Sequence, residues 1–237
     1  MKKQPLAIVA ALVVILGGVT GTAAKTTRAA TPPSSDFTAR VDNPWFPLQA
    51  GTTYVYRGVK DGQRSRDVVT VTRSTVRIDG VPCVAVRDRL YLRGRLAERT
   101  TDWYTEDKRG NVWYFGEVTA ELDRRGHVTS TEGTWRAGRD GARAGIYMPA
   151  RPRVGQMGLQ EYYRGHAEDH FQVVDRRTTV RVPYVASKQA LLTKEWTPLE
   201  PGVLDHKFYV RGIGTVLEQT VRGGDERNEL VSVRRER

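Results

Sequence analysis

The spacing of turn signals is what most constrains this chain. From Thr52 onward, short runs rich in Val, Thr, Tyr, Ile and Trp are cut by Asp61-Gly62, Asp79-Gly80, Gly94, Asp107 to Asn111, Asp123 to Gly126 and Gly223-Gly224. Runs of this length and composition suit strands, and Asp-Gly suits two-residue hairpins. No long segment of the globular part repeats its apolar residues with a period of 3.6, so helices cannot form layers over a parallel sheet. The pattern predicts a mainly β fold: a single-domain antiparallel curved sheet or open half-barrel, with little helix beyond the N-terminal segment. A turn or two of helix is expected near Ser187–Leu192. Gly133 to Gly158, dense in Gly, Ala, Pro and Arg, reads as a long irregular segment over the sheet, able to act as a lid.

Residues 1–24 read as a signal peptide. Lys2 and Lys3 precede an uncharged apolar run, Leu6 to Leu16, and small residues Thr22-Ala23-Ala24 offer a cleavage site. The run is shorter than the ~20 residues of a bilayer span. Residues 25–41, rich in Ala, Thr, Pro and Ser, read as a flexible linker, and 42–237 as the β-sheet domain. The expected location is secreted or in the extracytoplasmic cell envelope. The single cysteine, Cys83, lies inside the domain, so lipidation at an N-terminal Cys and an internal disulfide are not expected; between valines it reads as a small buried hydrophobe.

Lys and Arg number 38 against 27 Asp and Glu, a net charge of +11. Acids and bases are interleaved without a sustained basic run, which disfavours nucleic acid. The balance suits a lipid or another anionic envelope component, with transient membrane contact through the signal segment.

Several stretches are distinctive: Asp42-Asn-Pro-Trp-Phe-Pro-Leu48, Thr101-Asp-Trp-Tyr104 with Gly110-Asn-Val-Trp-Tyr-Phe-Gly-Glu117, Glu132-Gly-Thr-Trp135, Gln160-Glu-Tyr-Tyr163 with Gly165-His-Ala-Glu-Asp169, and Glu195-Trp-Thr-Pro-Leu-Glu-Pro-Gly202. In these the chain resembles a group of uncharacterised exported bacterial proteins, a resemblance that implies export and brings no activity with it. Its strand pattern is also similar to that of envelope lipoprotein carriers, whose curved sheet wraps an apolar cavity for acyl chains.

The most chemically suggestive window is Gln160 to His170. On a strand, His166, Glu168 and His170 share a face, and with His206 they form an alternative metal set of the ligand types zinc uses; the other reading is a solvated strand face. Glu161 and Asp169 are of interest if buried, because a carboxylate away from water needs a partner or a shifted pKa. Trp103, Trp113, Trp135, Tyr162 and Tyr163 are candidates for lining a ligand cavity, or else serve as core. Trp103 and Trp113 are expected as cross-strand neighbours around one hairpin. No phosphate loop, dinucleotide fingerprint, nucleophile elbow or haem motif is present, so no catalytic residue and no cofactor are expected. The expected function is non-enzymatic binding of a lipid or other amphipathic ligand in the concave sheet. The alternatives are an enzyme centred on Glu161, His166, Glu168 and Asp169, or a surface interaction module without a pocket.

Overall fold

The structure, a computed structural model, describes residues 30–236. The expected signal peptide and residues 25–29 lie outside the described residues. The strands are β1 (Phe37–Thr38), β2 (Thr52–Lys60), β3 (Gln63–Ile78), β4 (Val81–Leu92), β5 (Arg95–Asp107), β6 (Val112–Leu122), β7 (Val128–Ser130), β8 (Trp135–Arg136), β9 (Arg143–Met148), β10 (Met157–Leu159), β11 (Glu161–Tyr162), β12 (His170–Arg181), β13 (Ala186–Trp196), β14 (Leu204–Val210), β15 (Gly214–Arg222) and β16 (Arg227–Arg235). The helix among the described residues is a single 3₁₀ turn, Ser34–Asp36.

The strands form one antiparallel sheet in the order β10-β12-β13-β14-β15-β16-β2-β3-β4-β5-β6-β9-β11. Two meanders are joined where β16 pairs with β2, from Arg227 opposite Val59 to Arg235 opposite Thr52. The ends of that order are neighbours in sequence. β10 pairs with β12, and β11, one residue further on, pairs with β9. This kinked segment draws the two edges together into a nearly closed, barrel-like sheet. Gly145 permits the approach, since a Cβ there would lie 2.4 Å from the Leu159 carbonyl oxygen. The hairpin turns are built as the sequence implies. Asp61 and Gly62 have φ of 52° and 65°, and Asp79 and Gly80 have 49° and 75°, the positive values that twisted two-residue turns require.

Three expectations are corrected. Ser187–Leu192 is extended within β13, because its alternating residues fill a place between β12 and β14. Gly133–Gly158 is not a lid: it supplies β8, β9 and the start of β10, and β9 is wall, hydrogen-bonded to β6 and β11. The linker does not extend to residue 41, because Phe37 pairs with Asp107 and both Phe37 and Val41 are buried.

Alternation gives β4–β6 two unlike faces. One bears Val86, Asp88, Asp102, Tyr104 and Tyr114 and points inward. The other bears Cys83, Trp103, Trp113 and Phe115, all buried. Phe37 covers part of that outer face, meeting Trp113 and Phe115 edge-on at centroid distances of 5.8 and 5.5 Å. The domain therefore has an apolar layer outside this part of the sheet and a mixed aromatic and acidic interior.

Candidate functional site

The interior holds a chamber of about 150 Å³. Asp67 from β3, Asp88 from β4 and Asp102 from β5 line one side, Lys207 and Glu218 another, with the rings of Tyr56, Tyr104 and Tyr147 between them. Their strands place them there by simple register: Asp67 is two residues from Val69, which pairs with Asp88, and Asp102 pairs with Val86. A strap, residues 43–48, borders the chamber through Phe46, Pro47 and Leu48. Asn43, almost wholly buried, ties the strap to the rim: its side-chain amide donates to the carbonyls of Gly110 and Pro149, and its Oδ1 accepts from Trp45 N. Phe46 projects from the strap onto Tyr104 and Tyr147, at centroid distances of 5.3 and 4.5 Å. The aromatic series continues inward, Tyr104 stacking on Tyr114 at 4.8 Å and Tyr114 meeting Trp135 edge-on at 5.4 Å.

Charge inside the barrel is lopsided. Lys207 Nζ is bound to Glu195 Oε2 at 2.9 Å and Glu218 Oε1 at 3.3 Å. Glu195 also accepts from the Thr193 and Tyr209 hydroxyls. The ammonium, held well above its ordinary value mainly by these two carboxylates against the cost of burial, is thus already matched. No basic side chain is hydrogen-bonded to the carboxyls of Asp67, Asp88 or Asp102 among the described residues, although Arg89 donates to the backbone carbonyl of Asp88 at 2.5 Å. Burial raises all three carboxyls. Asp88 rises well above the usual range, first through burial and then through the Asp67 carboxyl beside it, with Arg89 opposing. Asp102 reaches about 7 although the Tyr114 hydroxyl donates to it at 2.7 Å. Buried Asp67 Oδ1 has no hydrogen-bond partner, and the hydroxyls of Tyr104 and Tyr147 donate to no described residue. A buried acceptor and two free donors around one small space make a built polar site.

A second acidic group lies deeper. Burial pushes Glu117 up to about 10 and Glu161 to about 8, with Asp102 and Asp169 adding repulsion respectively. The Trp135 indole faces Glu161 and acts the other way, but neither Trp135 Nε1 nor Glu161 Oε2 makes a hydrogen bond of normal length. Asp169 keeps contact with solvent near the seam, and its carboxyl is raised to about 6 by partial burial, with Lys207 opposing.

The sequence candidates separate. Glu161 and Trp135 are buried in the interior, whereas Asp169 is exposed at the seam, and none of the three lines the chamber. Trp103 lies on the outer face under the Arg136 guanidinium, 4.4 Å from its ring centroid. Trp113 is outer core, its indole donating to Asp107 Oδ2 at 2.8 Å. The two tryptophans are not cross-strand partners: Trp113 pairs with Thr105, two residues along from Trp103, and a bulge then sets Trp103 opposite Gly116. Tyr162 pairs with Arg143 at the seam. Tyr163 stacks on His166. The alternative metal set does not converge. His166 Nδ1 meets Glu132 Oε1 at 2.8 Å, Glu168 accepts from Gly165 N, His170 stacks on Trp196, and His206 lies on the opposite strand face from Lys207. No cluster of three or more metal-ligating side chains occurs among the described residues. Cys83 is buried, its thiol pushed up to about 12 by burial. The chamber carboxylates Asp67, Asp88 and Asp102 escape sequence reasoning because alternation alone places such residues in water.

Fold and site together define a β-barrel-like protein with an acidic, tyrosine-walled chamber. No family model and no curated protein sequence matches the chain. Two solved structures are similar in shape. A protein of Bacteroides fragilis NCTC 9343, named as exported and of YmcC-like fold, is 14% identical, with a TM-score of 0.48 over 81% of this chain and 99% of its own. A protein of Parabacteroides distasonis ATCC 8503, named as a lipoprotein, is 10% identical, with a TM-score of 0.40 over 80% and 98%. Both likenesses are too distant to bear on function.

Proposed function

We propose that this chain is an exported, non-enzymatic binding protein that holds a small organic cation inside its barrel. Export rests on the signal-like residues 1–24. The ligand class rests on one observation: Asp67, Asp88 and Asp102 line one side of a chamber whose single ammonium, Lys207, is already matched by Glu195 and Glu218. A guest ammonium supplies the missing charge, and the faces of Tyr56, Tyr104 and Tyr147 favour it further. The chamber matches cavities of about 150 Å³ known to take a benzene-sized guest, and falls below the ~300 Å³ and more of drug-sized pockets. Phe46, Leu48, Val69, Val86 and Ile213 give the chamber apolar walls as well, but its volume and its carboxyls favour a smaller, charged ligand over the lipid expected from the sequence.

Calorimetric titration of the full chain with ethylammonium, myo-inositol and hexanoate tests this. Ethylammonium is expected to bind with release of protons, more tightly at pH 8 than at pH 5.5, because the carboxyls it meets must ionise. Asp88→Asn should weaken it at least about tenfold, the scale of one lost charge partner in a buried site. Binding of hexanoate but not ethylammonium would restore the lipid reading.

A further inference from the structure

We propose that the rim carrying the strap is a docking surface for an anionic phospholipid bilayer. The inference does not depend on what fills the chamber. The β5–β6 turn and the β9–β10 loop frame an open cleft lined by Lys108, Arg109, Arg151 and Arg153. Lys108 is bonded to Asp36 at 2.6 Å. Arg109, Arg151 and Arg153 are exposed and form no ion pair among the described residues. Arg211 adds a fourth exposed guanidinium on the same rim, over the Trp45 ring at 5.3 Å. The neighbouring acids are engaged. Asp42 binds Arg40, Asp107 accepts from Trp113 and Asn111, and Glu106 accepts the backbone N–H groups of Asp42 and Asn43.

Two further observations select a bilayer as the occupant. Val154, at the tip of the β9–β10 loop among these arginines, is 64% exposed, more than any other large hydrophobic described. An apolar tip ringed by cations suits the boundary of headgroups and acyl chains. The N-terminal end of the fold lies on the same rim, for Asp36 meets Lys108 through side chain and backbone, and Ser34 lies by the Gly80 turn. The strap over the chamber belongs to this rim too, since Asn43 is tied to Gly110 and Pro149. Docking therefore turns the strap side of the chamber toward the lipid.

The test is flotation of the full chain with vesicles of phosphatidylcholine alone and of an equal mixture with phosphatidylglycerol. The apolar run is common to every variant, so the ratio of the two partition coefficients is the readout. Arg109→Ala/Arg151→Ala/Arg153→Ala should lower partitioning onto anionic vesicles about 100-fold and leave that onto neutral vesicles unchanged, as three cations lost from a surface contact imply. Val154→Asp should lower both. Arg64→Ala/Arg93→Ala/Arg95→Ala, at the opposite end of the same strands, should change neither. All variants are checked for unchanged urea midpoints. Equal losses from the two arginine triples, or no preference of the wild-type chain for anionic vesicles, would overturn the proposal.

Discussion

Lys207 and its two carboxylates show how little freedom a buried charge has. Glu195 and Glu218 reach the ammonium from neighbouring strands, and Glu218 is itself raised to about 7 by burial despite that partner. Lys207→Met removes the counter-charge from both at once. It is expected to cost ~3–5 kcal/mol, the usual effect of breaking a buried pair from one side, read as a drop in the urea midpoint. Asp88→Asn works in the other direction. It removes one of two carboxyls held against each other, so at pH 8 the unliganded protein should melt at a higher temperature than wild type, even as its affinity for ethylammonium falls. A melting temperature that drops at pH 8 would show that the pair is stabilised by something other than a shared proton.

At the scale of elements, the strap and the seam give the barrel its ends and its closure. Phe46 rests on Tyr104 and Tyr147 without being fully buried. Phe46→Ala should speed association and dissociation of a chamber ligand together, measured by stopped flow, with a stability loss of about 2 kcal/mol, below that of a fully buried Phe. Gly145→Ala should do more damage to the fold than its size implies, because the new methyl meets the backbone at Leu159 and Gln160 rather than a yielding side chain. Much of this was legible in the sequence. Asp61-Gly62 and Asp79-Gly80 announce hairpins, and Thr52 to Tyr56 announces a strand. The side of the sheet that becomes the interior was not legible. Asp102 and Trp103 are adjacent, and alternation separates them without saying which faces in. Burying Trp103 is the habitual choice, and it is buried, but on the outside of the strand, in the layer that Phe37 and Arg136 help to cover. Long-range cover of that kind leaves no local mark in the sequence.

Taken whole, the molecule stores protons. Asp102 and Glu218 at about 7, Glu161 at about 8, Glu117 at about 10 and Asp169 at about 6 all lie above the ordinary carboxyl range. The folded state therefore binds more protons than the unfolded chain from about pH 4 upward. Stability is fully present below the unfolded values and is lost as pH rises through the folded ones. The unliganded protein should be more resistant to urea at pH 5 than at pH 8, and a bound cation should narrow the gap; a midpoint that climbs over this range would contradict the assignment of buried, raised carboxyls. The pairing of β16 with β2 has a kinetic consequence as well. Among the described strands the one that completes the sheet, β16, follows all the others in the chain and lies against one of the first. Until Arg235 emerges, β2 and β15 both present unpaired backbone, and the contact that closes the ring spans nearly the whole domain, the kind that forms slowly. A nascent chain of this design stays open until β16 has been made, a state that suits the export proposed for it.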